Sequence, residues 1–349
     1  MTQQGTRLDG ELKQGLRGRR RGISLAGGDA VRTGRLAPSQ KLPLLLEPGD
    51  GAVDLIAWTA SHRERVGDLL LENGGVLFRG FQLGGVAEFE RFISALSADV
   101  LDYTYRSTPR SDVSGKIYTS TEYPADQSIP LHNEMSYARS WPRKIWFFSI
   151  QVAASGGETP IADSRKIFAE LSPRTRDAFM DRGVMYVRNY GGGPDLSWQN
   201  VFQTADRREV EVYCRRNGID LEWRGEDRLR TRQVCQATAI HPQTGEDLWF
   251  NQAHLFHPSS LDPALREFLL AELGEDDLPR NAFYGDGSPI AEGSLHEIRE
   301  AYRRHQVIFP WQPGDVLLLD NMLIAHGRQP YSGARRVVVG MAEAWPQLG

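Results

Sequence analysis

Three residues of this 349-residue chain have the types and surroundings to bind a transition metal. His132 and Glu134 stand together in Ile129-Pro130-Leu131-His132-Asn133-Glu134, and His326 lies far downstream. The stretch before His132 has extended character, and residues two apart on a strand face the same side, so an imidazole and a carboxylate there converge on one ion. His326 is the candidate third ligand because it follows the turn Pro313-Gly314-Asp315, the apolar run Val316 to Leu319 and the polar pair Asp320-Asn321. Two histidines and one carboxylate on one face of an octahedron leave three open positions, which suits Fe(II) oxygenases that take up O2 and a bidentate 2-oxo acid. The same donors also hold catalytic zinc, although the helical His-Glu-x-x-His signature of a zinc hydrolase is absent. Taken alone, most His-x-Glu triplets are surface coincidences.

The remaining histidines carry less. His62, His296 and His305 fall on exposed helix faces and His241 precedes Pro242 in a turn-like stretch, while His254 and His257 follow Trp249-Phe250-Asn251-Gln252 and read as core or as support for a ligand. Cys214 and Cys235 form no Cys-x-x-Cys pattern and read as buried free thiols. Gly191-Gly192-Gly193-Pro194 lacks the Lys-Ser/Thr of a phosphate loop, and Tyr284-Gly285-Asp286-Gly287 reads as a turn.

Positioning such a site takes a β framework. Apolar spacing predicts a helix from Leu55 to Leu70 stopped by Asn73-Gly74, a strand at Val76 to Phe78, and a helix carrying Phe89, Phe92, Ile93 and Leu96. Trp146 to Ile150 reads as a buried strand, and further strands are expected at Val184 to Arg188, Glu211 to Cys214, Leu221 to Trp223 and Val234 to Ile240, with Asn217-Gly218 as a hairpin signal. Helices are expected at Ser172 to Asp181, after Asp262-Pro263, and around Leu295, Ile298 and Tyr302; Val316 to Leu319 and Val337 to Val339 close the domain as strands. Many strands with a few helices, no βαβ alternation and no repeat indicate a mostly β fold, a sandwich or jelly roll with flanking helices. Residues 163–246 then form an insertion of the kind that covers a site.

Charge divides the chain. Residues 1–41 hold nine Lys or Arg against three Asp or Glu, a net of +6, so the remainder carries −10 of the total −4. This reads as a basic, disordered tail followed by one folded domain over 42–349, with docking to an acidic carrier protein as the sharper reading of the tail. The opening residues are polar with no apolar core of a secretory signal, and no apolar run approaches the ~20 residues of a membrane span, so a cytoplasmic location with no membrane and no nucleic-acid partner is expected.

With these residues in view, the chain resembles the taurine dioxygenase and clavaminate synthase superfamily, nearest its branch like the syringomycin-pathway amino-acid hydroxylase. The similarity runs from Leu42 to Glu343 through Leu77-Phe78-Arg79-Gly80-Phe81, the segment 129–134, Gly156-Gly157-Glu158-Thr159-Pro160, Trp249-Phe250-Asn251-Gln252, Pro313-Gly314-Asp315 with Asp320-Asn321 and His326, and Gly333-Ala334-Arg335-Arg336. The resemblance implies a double-stranded β-helix, Fe(II) on His132, Glu134 and His326, and O2 and 2-oxoglutarate as co-substrates. By motif position Thr159 and Arg336 hold the distal carboxylate, with the adjacent Arg335 as the alternative; a guanidinium matches a carboxylate in a planar, bidentate way. Gly340 stands four residues past Arg336, where taurine dioxygenase has its sulfonate-binding arginine, which disfavours taurine. Retention of a carboxylate at 134 disfavours halogenation. The branch implies hydroxylation of an unactivated carbon of an amino acid, free or on a peptidyl carrier, in specialised metabolism. Desaturation, epoxidation or cyclisation by the same site is the alternative, and a non-catalytic binding module the non-enzyme one. Arg188, Asn251 and Gln252 are candidates for polar contacts in or near the substrate pocket.

Overall fold

The computed structural model describes residues 30–102, 105, 112–120, 123–191 and 196–346. Its frame is an eight-stranded sheet in the order Val31–Ala37, Gln40–Pro48, Gly75–Phe78, Val316–Asp320, Trp141–Gln151, Arg336–Trp345, Ile117–Thr119 and Asp112–Ser114. Facing it is a three-stranded sheet in which Ile324–Arg328 lies between Ile129–His132 and Ile161–Asp163.

Period-two alternation sorts the large sheet's side chains between two cores. Ile145, Phe147, Leu317, Leu319, Val337 and Val339 point inward and pack with Ile161 and Ile324 of the small sheet. Their neighbours Trp146, Phe148, Val316, Leu318 and Val338 point outward, onto Phe89, Phe92 and Ile93 of helix Val86–Leu96 and onto Leu55, Val66 and Leu70. Gly340 belongs to this outer face, where a Cβ would lie 2.3 Å from Ile93 Cδ1, so a larger residue there would have to push the Ile93 side chain aside. The structure is thus a double-stranded β-helix, its strands split among separate sheets, with helices outside.

Two sequence motifs turn out to be partners. Arg79 grips Asp315 in a two-pronged ion pair, Nε to Oδ1 at 3.0 Å and Nη2 to Oδ2 at 2.6 Å, and donates to the Pro310 carbonyl at 2.9 Å. This ties the end of strand Gly75–Phe78 to the turn that launches Val316–Asp320.

The 163–246 segment supplies most of a second body. Val184–Tyr190, Arg228–Cys235 and Asp220–Arg224 form a four-stranded antiparallel sheet with Arg280–Tyr284, over a core in which Phe179, Trp198 and Trp249 join Leu131, Ala162 and Ala325 of the small sheet.

Several expectations need correction. The Leu55 to Leu70 helix is broken at His62 into Leu55–Ser61 and Arg63–Asn73, because His62 takes a non-helical φ of −123° and ψ of 26°. Glu211 to Cys214 is helix, not strand: Arg207–Asn217 starts on an Asp206 cap, buries Val210 and Cys214 four apart, and stops at left-handed Gly218. Asn-Gly serves a helix stop and a hairpin equally well, and here it is the stop. The ordered fold begins before residue 42, since Val31–Ala37 and Gln40–Pro48 pair as the edge of the large sheet; residues 1–29 lie outside the described residues. Both cysteines are buried and free, as expected.

Candidate metal and co-substrate site

The small sheet brings the two histidines together. His326 on Ile324–Arg328 is the antiparallel register partner of His132, and their rings are 4.7 Å apart between centroids. The Nδ1 of His132 lies 2.8 Å from the Pro130 carbonyl, which fixes this nitrogen as the N–H donor and leaves Nε2 as the lone-pair donor. Glu134 arrives differently from the expectation. The strand ends at His132, and Glu134 sits in the following turn, ahead of Met135 at a left-handed φ of 57°. The donor atoms of His132, Glu134 and His326 nonetheless lie within 4.8 Å of one another, with His326 Nε2 3.8 Å from Glu134 Oε2. That separation is too long for a hydrogen bond and suits two ligands facing one ion. Two imidazoles and one largely buried carboxylate are the donor set for a divalent first-row metal, and the residues fit Fe(II).

Behind these donors lies a web of buried polar groups. Asn321 donates to the carbonyls of Glu134 at 3.0 Å and Pro142 at 2.7 Å, and accepts from the Glu134 N–H at 2.7 Å. Asn133, between the two ligands, donates to the Asn321 carbonyl at 2.7 Å and to Ser164 Oγ at 3.0 Å. Asp320 caps the N–H groups of Met322 and Leu323 with Oδ1 and receives His241 Nε2 on Oδ2 at 3.1 Å. Sequence reading passed over His241, yet it is fully buried, its Nδ1 accepting from the N–H groups of Gln243 and Thr244.

Residues near Trp249 to His257 serve this web. Gln252 donates from its side chain to the Asn133 carbonyl at 2.8 Å, and Asn251 spans the Ala237 carbonyl and the Ala253 N–H. Both amides are therefore occupied by backbone. His254 donates Nε2–H to the Leu131 carbonyl at 3.0 Å and stacks on Tyr302. Burial, chiefly, pulls its pKa down to about 3, so it is neutral. His257, lowered to about 4 by burial and nearby arginines, caps the Ser259 N–H.

Also in the interior, Thr159 is buried and accepts from Nε1 of Trp311, a member of the inner core, at 3.1 Å. Arg335 donates to the Gly157 carbonyl at 2.9 Å and to Ser120 Oγ at 3.2 Å, and its guanidinium shares the Tyr331 ring with that of Arg328. Burial first, then the neighbouring Arg328, lowers Arg335 to about 10, so it stays cationic near neutrality. Arg335 lines a cavity of about 240 Å³ with Trp311, Ser149 and Val337. Arg336, by contrast, is exposed, opposite Gln151 at an irregularity of the strand pair. The glycines before Thr159 are required by contact: a Cβ on Gly156, at φ 68°, would sit 2.1 Å from the Pro330 carbonyl oxygen.

Arg188 does not join the metal donors. It is buried in the inserted sheet, its guanidinium carbon 5.0 Å from the Tyr190 ring and 5.5 Å from that of Tyr105. Tyr105 in turn lines a second cavity of about 210 Å³, bounded by Met135, Trp141, Tyr213 and Ile219. Met135 and Trp311 carry no motif of their own in the sequence, and only their neighbours Glu134 and Pro313 pointed to them.

Comparison with known proteins agrees with this geometry. The family model described as Taurine catabolism dioxygenase TauD, TfdA family matches residues 40–342. The dapdiamide synthesis protein DdaC of Enterobacter agglomerans is 44% identical over 278 residues, covering 80% of this chain and 84% of that one. A clavaminate synthase-like protein of Arabidopsis thaliana is 29% identical, covering 87% and 94%. Among solved structures, PvcB of Pseudomonas aeruginosa superposes with a TM-score of 0.53 at 16% identity, covering 91% of this chain and 93% of that one. PvcB is described as an Fe, alpha-ketoglutarate dependent oxygenase from an isonitrile synthetic pathway. Among the described residues no helix is long and apolar enough to cross a membrane. The chain belongs to the TauD, TfdA family, and it is an oxidoreductase that depends on iron and 2-oxoglutarate.

Proposed function

We propose that His132, Glu134 and His326 hold Fe(II), that Arg335 with Thr159 holds the distal carboxylate of 2-oxoglutarate, and that the enzyme hydroxylates an unactivated carbon of an amino-acid-like small molecule, free or carrier-tethered. The observation that carries the metal assignment is the convergence of two imidazoles and one carboxylate within 4.8 Å. Support for an amino-acid-like substrate in specialised metabolism comes from a relative at 44% identity that takes part in dapdiamide synthesis.

Motif position alone favours Arg336 for the co-substrate, whereas burial and register favour Arg335. Arg335 is half-buried, shares a cavity with Trp311, the hydrogen-bond donor to Thr159, and remains charged, while Arg336 is exposed. The shift of one residue is consistent further along the strand. Four past Arg335 is Val339, on the inner face, and four past Arg336 is Gly340, pressed against a helix on the outer face. Either count leaves no arginine for a sulfonate.

Iron, once bound, couples oxidative decarboxylation of 2-oxoglutarate to oxidation of the substrate. The chain's own part is positioning. Arg335 offers a fork of N–H donors to a carboxylate and Thr159 one hydroxyl, worth about 1.5–3 kcal/mol for each charged hydrogen bond. The buried network holds the Glu134 turn in place beside the two histidines that would share the iron with it. Met135, the chain neighbour of Glu134, walls a cavity with Tyr105, Trp141 and Tyr213, and we assign the substrate to it. Arg188, behind the Tyr105 wall, shapes that cavity, and Asn251 and Gln252, already bonded to backbone, support the ligand turn. Desaturation, epoxidation or cyclisation would use the same residues with a differently placed target carbon.

The test is anaerobic addition of Fe(II) and 2-oxoglutarate. A metal-to-ligand charge-transfer band is expected in the wild type and not in Glu134→Ala. Its absence from the wild type, or full turnover by Glu134→Ala, refutes the assignment. Mass spectrometry of products from free amino acids and their carrier-bound forms then separates hydroxylation from its alternatives.

A further inference from the structure

Two asparagines far apart in the chain hold each other and the carboxylate ligand in a closed loop of hydrogen bonds. The Asn321 side chain binds both the N–H and the carbonyl of Glu134, and its own main-chain carbonyl is held by the Asn133 amide. Both side chains are fully buried. The third strut is Pro142, whose carbonyl takes the other N–H of the Asn321 amide and so ties the loop to the large sheet.

The turn so held is an unfavourable one. Met135 follows Glu134 at φ 57°, a conformation that costs a non-glycine residue on the order of 1 kcal/mol or more and persists only where its surroundings over-determine it. Here they do: the Asn133 carbonyl accepts from Gln252 Nε2 at 2.8 Å, Ser136 Oγ at 3.0 Å and the Ser136 N–H at 3.3 Å. A strand would have carried Glu134 on with period two. The turn instead swings its carboxylate toward His326, and the asparagine clasp is what fixes the swing.

We propose that Asn321, locked by Asn133 and Gln252, is a positioning residue that sets where Glu134 presents its oxygen to the metal. It neither binds the ion nor touches the substrate. The proposal rests on the reading that His132, Glu134 and His326 are the ligands, and it goes beyond that reading by naming what holds the carboxylate in place. Removing a group that orients a metal ligand typically costs 10–100-fold in metal affinity.

The experiment is titration of the metal-free full-length protein with Co(II), followed by visible absorption, alongside thermal melting without metal. Asn321→Ala is expected to raise the Co(II) Kd about 10–100-fold and to change the d–d band shape. Asn321→Asp, which keeps the acceptor for the Glu134 N–H but loses both donors, should not restore affinity. Phe92→Leu, in the outer core, controls for general loosening. Affinity within threefold of wild type for Asn321→Ala overturns the proposal, as does equal weakening in Phe92→Leu at a comparable melting temperature. Should Asn321→Ala fail to fold, Gln252→Ala removes one of the three bonds on the Asn133 carbonyl; weakening of about three- to tenfold supports the clasp, and unchanged affinity overturns it. A wild type that binds no Co(II) refutes the ligand assignment itself.

Discussion

The two bodies of this protein treat their largest buried polar groups differently. In the double-stranded β-helix, polar side chains reach each other across the chain: Asn133 to Asn321, Asn321 to Glu134, His241 to Asp320, Arg79 to Asp315. In the inserted sheet, the largest buried polar group, Arg188, lies among the rings of Tyr105 and Tyr190, and the Tyr186 hydroxyl oxygen accepts from the Gln252 N–H. The first pattern fixes atoms to within hydrogen-bond tolerances, as ligands require. The second makes a wall, whose chemistry is shape and aromatic surface. A fold can thus vary substrate through the wall while the web keeps the metal geometry.

The sharpest way to break this comparison is to delete one arginine from each body. Arg335→Ala should raise the KM for 2-oxoglutarate about 10–100-fold, the loss of one or two charged hydrogen bonds, while Arg336→Ala stays within about twofold because its side chain lies in solvent. Arg188→Ala should cost stability of about 2–4 kcal/mol, as expected for truncating a large buried side chain, and leave that KM nearly unchanged. Steady-state kinetics in 2-oxoglutarate and urea melts decide the matter. An Arg188→Ala enzyme with the KM defect of Arg335→Ala would erase the division between web and wall.

Much of the web was legible in sequence and much of the wall was not, for physical reasons. His132, Glu134 and His326 have side chains with few roles other than ligation when clustered, and Gly156 and Asp315 sit in turns that demand their types. Which arginine faces inward was not legible, because it depends on the register of Arg336–Trp345 against Trp141–Gln151 and on the irregularity between Arg336 and Val337. Glu134 converges on the histidines through a left-handed turn rather than strand alternation, and no local pattern announces a φ of 57° at a methionine. In the insertion, Arg207–Asn217 misled because its β-branched residues Val210 and Val212 and its Asn-Gly end fit two structures, and only the Asp206 cap and the buried Val210 and Cys214 choose the helix.

A second, smaller test acts where the two bodies meet. His254 follows Gln252 and supports Leu131, next to His132, so it belongs to the web although its chain segment leads to the wall. Its folded pKa of about 3 lies below the ordinary 6.5, so the fold favours the neutral form. The stabilising contribution is present above pH 6.5 and is lost as pH falls toward 3, since the unfolded chain takes up the proton first. The loss is on the order of a few kcal/mol by pH 4. His254→Gln keeps an N–H for Leu131 but cannot titrate. Urea midpoints of the metal-free proteins from pH 7 to 4.5 should show the wild type losing its lead over the variant as pH falls. Parallel curves would place His254 outside the linkage.

The smallest effect concerns the basic N-terminal segment and separates damage to the fold from loss of docking. Val31–Ala37 pairs along Gln40–Pro48, and Val31 is buried with Leu46 and Leu55 in the outer core, so removing residues 1–41 strips an edge strand. That truncation should lower stability by about 1–3 kcal/mol and depress turnover of every substrate, which says nothing about a carrier. Removing residues 1–29 spares the strand pair and takes away six of the nine cationic side chains counted in 1–41. Melting temperature and 2-oxoglutarate turnover with a free amino acid should then stay at the wild-type level. If the segment docks an acidic carrier, KM rises for the carrier-bound substrate alone, and the rise shrinks as salt screens the attraction. An unchanged KM for the carrier-bound form sinks the docking role while leaving the web and the wall as they stand.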